Sequence, residues 1–350
     1  MKPSSVRLDY GPLGSVKAGR QQHLLNNIST VAQAGEHLWL ASDEGCTVER
    51  LSWDGRGYAR AVSYDLSAYF SLPKGGPEID VEALSIDRDR LWIAGSHSRV
   101  RQAPPSPSDS ECRPRKFLES LTTVKRRPRR YLIGQLHLSA QGGKIVSAAD
   151  GTAPCVAFDR TGNSLTRALR EDPHLAPFLG LPDKENGLDI EGLGAKDYKI
   201  FLGLRGPVIR GYAVILQLSV EIQGSTVRLA GIGAGSRRYR KFFLDLGGLG
   251  VRDLTVVGED LVIVAGPTMG LDGPWSVLRW RNAFGARREG LVDKDALRRE
   301  PGLTFEGPER PEGITRLLHP DGRRGWLVVY DRPDPKRVTK DGSYRADFFR

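Results

Sequence analysis

The chain has 350 residues, 39% of them apolar and 27% charged, enough to build a large core and too much to leave wholesale disorder. Its mean hydropathy is -0.36. No apolar run approaches the roughly 18 residues a membrane-spanning helix needs, and the cysteines Cys46, Cys112 and Cys155 lack the pairing and spacing of a disulfide scaffold or a zinc site. The net charge of +10 favours anions in general and specifies none.

The N-terminal stretch MKPSSVRLDYGPLG has no apolar leader, so a cytoplasmic protein with no membrane association is expected. Val6–Tyr10 has the character of an edge strand able to close a ring. A repeat then begins with NNISTVAQAGEHLWLASDE from Asn26. It recurs as IDVEALSIDRDRLWIAGS from Ile79, LDIEGLGAKDYKIFLGLR from Leu188, GVRDLTVVGEDLVIVAGP from Gly250 and RPEGITRLLHPDGRRGWLVVYD from Arg310. Each of the later copies opens on an acid and places a polar turn between two apolar runs, the pattern of a β-hairpin. Glu82 to Ile93, Glu191 to Leu202 and Asp253 to Val264 are each 11 residues.

A third strand follows in several copies, at TVERLSWD from Thr47, RRYLIGQLHL from Arg129, GYAVILQLSV from Gly211 and WSVLRW from Trp275. Repeated antiparallel units of this kind predict an all-β fold, a single β-propeller over residues 1–350. Asn27 to Glu82 spans 55 residues, Glu191 to Asp253 62, and Asp253 to Glu312 59, but Glu82 to Glu191 spans 109. Five recognisable repeats therefore leave five or six blades. Within the long interval, residues 101–128 read as a basic Pro- and Ser-rich inserted loop. Residues 163–179 read as a short inserted helix, capped by Asn163 or Ser164 and ended by Pro173. Residues 332–350 read as a C-terminal tail.

The motifs LWLASDEG (38–45), EIDVEAL (78–84), LWIAGSHSR (91–99), LDIEGL (188–193), GLRGPV (203–208), GVRDL (250–254), AGPT (265–268) and PEGI (311–314) resemble the domain-of-unknown-function family 3616. The resemblance implies a β-propeller similar in style to calcium-dependent lactonase and phytase-like propellers, and implies no established activity. The segment VVYDRPDPKRV departs from the more acidic, glycine-containing end expected of that pattern.

The first strand of a propeller blade lies beside the central channel. Aligned repeats then bring Glu82, Glu191, Asp253 and Glu312 to one axis, with Asn27 in the first copy. Converging carboxylates require a cation, arginines or protons to relieve their repulsion. A divalent cation such as calcium suits such oxygens. The structural alternative is that each acid accepts backbone N–H groups or pairs with Arg99, Arg205 or Arg252. The loop Ser96–Arg99 adds a candidate general base, His97, and a hydroxyl, Ser96. Arg99 and Arg205 could grip a carboxylate or phosphate. Asp43 and Glu44 stand at the equivalent strand end of the first copy. His23, His37, His137, His174 and His319 lack metal spacing.

Three functions fit these residues. The first is binding of a small molecule or protein partner at a charged channel mouth. The second is metal-dependent hydrolysis of esters, lactones or phosphoesters, with Glu82, Glu191, Asp253 and Glu312 on the metal and His97 as base. The third, the weakest, is association with nucleic acid through the basic residues 113–130, SRRYRKFF from Ser236 and RWRNAFGARR from Arg279.

Overall fold

In the computed structural model, residues 3–11, 24–74, 78–106, 113–270, 272–305, 309–339 and 342–350 are described. His23 and residues 107–112 of the inserted segment, Cys112 among them, lie outside these.

The alternating apolar runs form antiparallel sheets, and the described strands group into five units. Unit I comprises Ile28–Ala34, His37–Ser42, Thr47–Trp53 and Tyr58–Asp65. Unit II comprises Val81–Asp87, Arg90–Gly95, Ile133–His137 and the short Cys155–Val156. Unit III has Asp189–Lys196, Lys199–Gly206 and a long third strand, Tyr212–Gln223, whose two halves pair with Arg240–Asp245 and Thr226–Leu229. Unit IV comprises Gly250–Val257, Asp260–Gly266, Ser276–Trp280 and Leu297–Arg299. Unit V comprises Arg310–Leu318, Arg324–Asp331 and Ser343–Phe349.

The outer strand of unit V is the N-terminal Ser4–Asp9, which pairs antiparallel with Ser343–Phe349 from Ser4↔Phe348 to Asp9↔Ser343. Residues 332–350 are therefore not a tail. The alternation in SYRADFF buries Tyr344, Ala346 and Phe348, but arginine and aspartate between them disguise a strand as a polar end.

Each unit's first strand packs beside that of the next, and unit V returns to unit I, so the five enclose an axis. The apolar core is accordingly divided into layers between neighbouring sheets. Trp39, Leu84 and Ile93 fill the layer between units I and II. Trp92, Ile133, Leu193 and Leu216 fill that between II and III. Phe201, Phe242, Leu254 and Trp280 fill that between III and IV. Val264, Ile314 and Val328 fill that between IV and V, and Leu8, Leu40, Leu317 and Phe348 that between V and I. Close approach has its own demand at Gly203, where an added Cβ would lie 2.3 Å from Val251 Cγ1 of the next sheet.

The inserted segments are more ordered than their composition suggests. Pro114–Thr122 is a helix, and Arg99–Arg101 pairs with Val124–Arg126 as a small ribbon. The lysines and arginines around Phe117 and Leu121 masked this helix within an expected loop. The second helix is shorter than read, Ser164–Leu169. The Asn163 side chain accepts from Thr166 N–H at 2.9 Å, and the Thr166 hydroxyl accepts from Asn163 N–H at 2.8 Å, a reciprocal cap.

Leu8 is fully buried between units V and I. Leu8→Ala should destabilise the protein by roughly 2–5 kcal/mol in urea denaturation. A loss below about 1 kcal/mol would mean that the N-terminal strand does not help to seal the ring.

Candidate functional site

All five first strands carry a β-bulge at the same place, where the pairing register skips one residue. The skipped residues are Ser29, Glu82, Glu191, Arg252 and Glu312. A bulge re-aims a side chain, and here the re-aimed groups meet across units. Arg252 Nε lies 2.8 Å from Glu191 Oε2, and its Nη2 bonds Glu312. Ser29 instead donates to the Val81 carbonyl at 2.6 Å.

The sequence alignment is thus one residue out in unit IV, where arginine rather than Asp253 holds the bulge, and two residues out in unit I, where Ser29 rather than Asn27 does. Asp253 occupies the position of Thr30, and both serve the neighbouring sheet. Asp253 accepts from Ile314 N–H at 2.7 Å and from Leu254 N–H at 2.8 Å. Thr30 accepts from Leu84 N–H at 3.2 Å.

Two residues before the bulge, strand alternation places a further pair of acids, Asp80 and Asp189. Arg205 bridges Asp189 at 2.6 Å and Glu191 at 2.9 Å. Arg130 lies 2.8 Å from Asp80 and donates to Ser98 Oγ at 2.7 Å. Ser98 Oγ is 2.9 Å from Ser96 Oγ. Asp43 and Asp331, at second-strand ends of units I and V, complete the group, and Asp331 repels Asp43. Glu44, beside Asp43, is exposed.

The acids outnumber the guanidiniums, and each of Arg130, Arg205 and Arg252 is already held. Among the described residues Glu82 and Asp43 have neither a hydrogen bond nor an ion pair, and Oδ1 of Asp43 and of Asp189 is buried without a hydrogen-bond partner. Burial first, then Asp80 and Glu191, pushes the Glu82 carboxyl well above its usual range. Burial, then Asp80 and Asp331, pushes Asp43 up to about 8. Burial opposes the charge on Arg205, but Asp189, Glu191 and Asp183 overcome it and hold its proton more firmly. Asp80 carries a further cost, a left-handed backbone with φ 59°, strain of a kind that clusters at functional sites.

His97 is not part of this group. It is buried, with φ 61°, its Nδ1 is 2.7 Å from the Gly95 carbonyl and its Nε2 2.7 Å from Asn163 Nδ2. Burial, opposed by the Gly95 hydrogen bond, lowers its pKa to about 4. It is neutral, with Nδ1–H donating to Gly95 and Nε2 accepting from Asn163, and neither nitrogen is left to act as a base. Arg99 lies on the ribbon Arg99–Arg101 and shares no partner with Arg205. Nor are the expected metal ligands free to share an ion. Arginines hold Glu191 and Glu312, Asp253 is occupied by backbone, and among the described residues no group of three His, Cys, Asp or Glu could hold a metal ion. The residues do not fit a calcium-like centre.

Antiparallel sheets around a charged axis define a β-propeller. The chain belongs to a family of proteins of unknown function, DUF3616, whose model matches residues 27–347. No curated protein matches it. Among solved structures it is similar to the glutaminyl cyclase of Myxococcus xanthus, with 10% identity, coverage of 100% of this chain and 98% of that one, and a TM-score of 0.39. It is also similar to the WD40 β-propeller domain of Doa1, with 9% identity, 100% and 96% coverage and a TM-score of 0.35. Kuenenia stuttgartiensis hydrazine synthase matches at 11% identity and a TM-score of 0.37 over 92% of this chain, which spans 59% of that one. No helix of the described residues is long and apolar enough to cross a membrane.

Removing Arg252 strands the buried Glu312 carboxylate and leaves Glu191 with Arg205 alone. Arg252→Met should cost roughly 3–5 kcal/mol in urea denaturation, and adding Glu191→Gln and Glu312→Gln should restore most of it; failure to restore would show that the arginine acts by packing alone. Asp43 offers a pH test. The folded state keeps its proton from about pH 4, where the unfolded chain loses it, up to about pH 8, so stability falls as pH rises through that window. Thermal melts from pH 5 to 9 should show Asp43→Asn gaining on the unsubstituted protein as pH rises. Parallel curves would refute the raised pKa.

Proposed function

We propose that the protein is a ligand-binding propeller, and that the acidic end of its channel receives a small molecule through a protonated amine or guanidinium. The observation that carries this reading is the pair of unpartnered acids, Glu82 and Asp43, set among arginines that are already committed. Partly buried carboxyls without partners cost stability, and strongly perturbed ones are candidates for functional sites. A cationic group entering here would supply the missing charge, and Glu82 and Asp43 would give up their protons to receive it. Hydrolysis through a metal and His97 has no comparable support, because His97, Glu191, Asp253 and Glu312 are otherwise bonded.

Titration calorimetry with agmatine, spermidine and L-lysine in two buffers of different ionisation enthalpy tests this at pH 7. At least one probe should bind with release of protons. Glu82→Gln should weaken that binding by about tenfold or more and reduce the proton release, while raising the melting temperature of the free protein. Absence of binding by all three at millimolar concentration, or binding insensitive to Glu82→Gln, would overturn the reading.

A further inference from the structure

Apart from the channel acids, a cavity of about 480 Å³ opens between the inserted segments of unit II and the loop leading into unit III. Its charged wall is made by Arg99, Arg126 and Arg170, with Thr161 beside them and Leu179 and Leu188 opposite in character. Three different elements supply the arginines: one strand of the ribbon, the other strand, and the end of the helix Ser164–Leu169.

The arrangement concentrates positive charge at one place on the surface. Arg99 and Arg126 stand directly opposite each other in the ribbon, and like charges in that relation repel. Burial, then Arg126, lowers the Arg99 pKa, and Arg170 adds to this. Neighbouring arginines have acids: Arg101 bonds Glu185, Arg167 lies 2.6 Å from Asp159, and Arg130 lies 2.8 Å from Asp80. Arg99, Arg126 and Arg170 have no carboxylate partner among the described residues; Arg170 reaches only the Thr161 carbonyl, at 3.4 Å.

We propose that this cavity binds a small organic phosphate monoester. Guanidinium forks match phosphate oxygens two at a time, and a group near -2 at neutral pH balances converging arginines where a single carboxylate would balance one. The volume lies in the range of small-molecule sites, and Leu179 and Leu188 give the organic part an apolar surface. A half-open cavity of this size with one apolar wall favours a small ester over a nucleic-acid strand, which needs a continuous basic track.

Calorimetry with phenyl phosphate, inorganic phosphate, succinate and a single-stranded RNA oligonucleotide tests the proposal on the full chain. Phenyl phosphate should bind most tightly. Arg99→Gln and Arg170→Gln should each weaken it by about tenfold or more while leaving the free protein's melting temperature equal or higher, since repulsion is relieved. Lys125→Gln, on the strand that carries Arg126 but on its other face, should leave binding unchanged. The proposal fails if phenyl phosphate does not bind at millimolar concentration, if Lys125→Gln weakens it as much as Arg99→Gln, or if succinate or the RNA binds more tightly. A destabilised Arg99→Gln would instead assign that arginine a structural role and also count against it.

Discussion

The ion-pair chain Arg205–Glu191–Arg252–Glu312 is the constraint around which the channel is organised. It links three units through side chains that a bulge turns inward at one repeated position. Taking these charges out of water is costly, and mutual attraction returns little more than that cost. Their arrangement matters more than their net contribution. Each arginine bridges two acids, so the identity of one bulge residue fixes what its neighbours can be. Apolar layers between sheets supply the driving force, and the charged axis determines which polar groups are left over. In units I and II those leftovers are Asp43 and Glu82.

Much of the architecture was legible in the sequence, because hairpins with equal spacing leave a repeat that composition does not hide. The axis was legible only in part. A bulge inserts one residue without changing the apolar pattern, so GVRDL offers two polar candidates side by side, and the acid attracted the alignment that belongs to Arg252. The same period-2 reasoning that finds strands would have found Asp80 and Asp189, two residues ahead of Glu82 and Glu191 in IDVE and LDIE. Arg130 carried no such signal. It arrives from a turn beyond the inserted helix, and only the folded chain brings it to Asp80.

The candidate loop Ser96–Arg99 shows the opposite error. Adjacent residues in sequence suggested one constellation, yet the left-handed backbone at His97 separates their fates. Ser96 and Ser98 face the channel arginine Arg130, whereas His97, locked between Gly95 and Asn163, and Arg99, on the ribbon, both line the second cavity. Burial decides the chemistry of the imidazole here, since a histidine satisfied on both nitrogens is part of the framework.

The sharing of unit V between the two ends of the chain bears on how the molecule assembles. Ser4 and Phe348, joined by a hydrogen bond, are 344 positions apart, and contacts of such separation slow folding far more than they weaken the finished protein. During synthesis the first strand emerges long before the strand that covers it. Its backbone edge and the apolar face around Leu8 must wait, uncovered, until Ser343–Phe349 has been made. An uncovered strand edge invites mispairing, so assembly of the ring is most exposed to aggregation in that interval, and whatever shelters Ser4–Asp9 until its partner arrives would protect the whole.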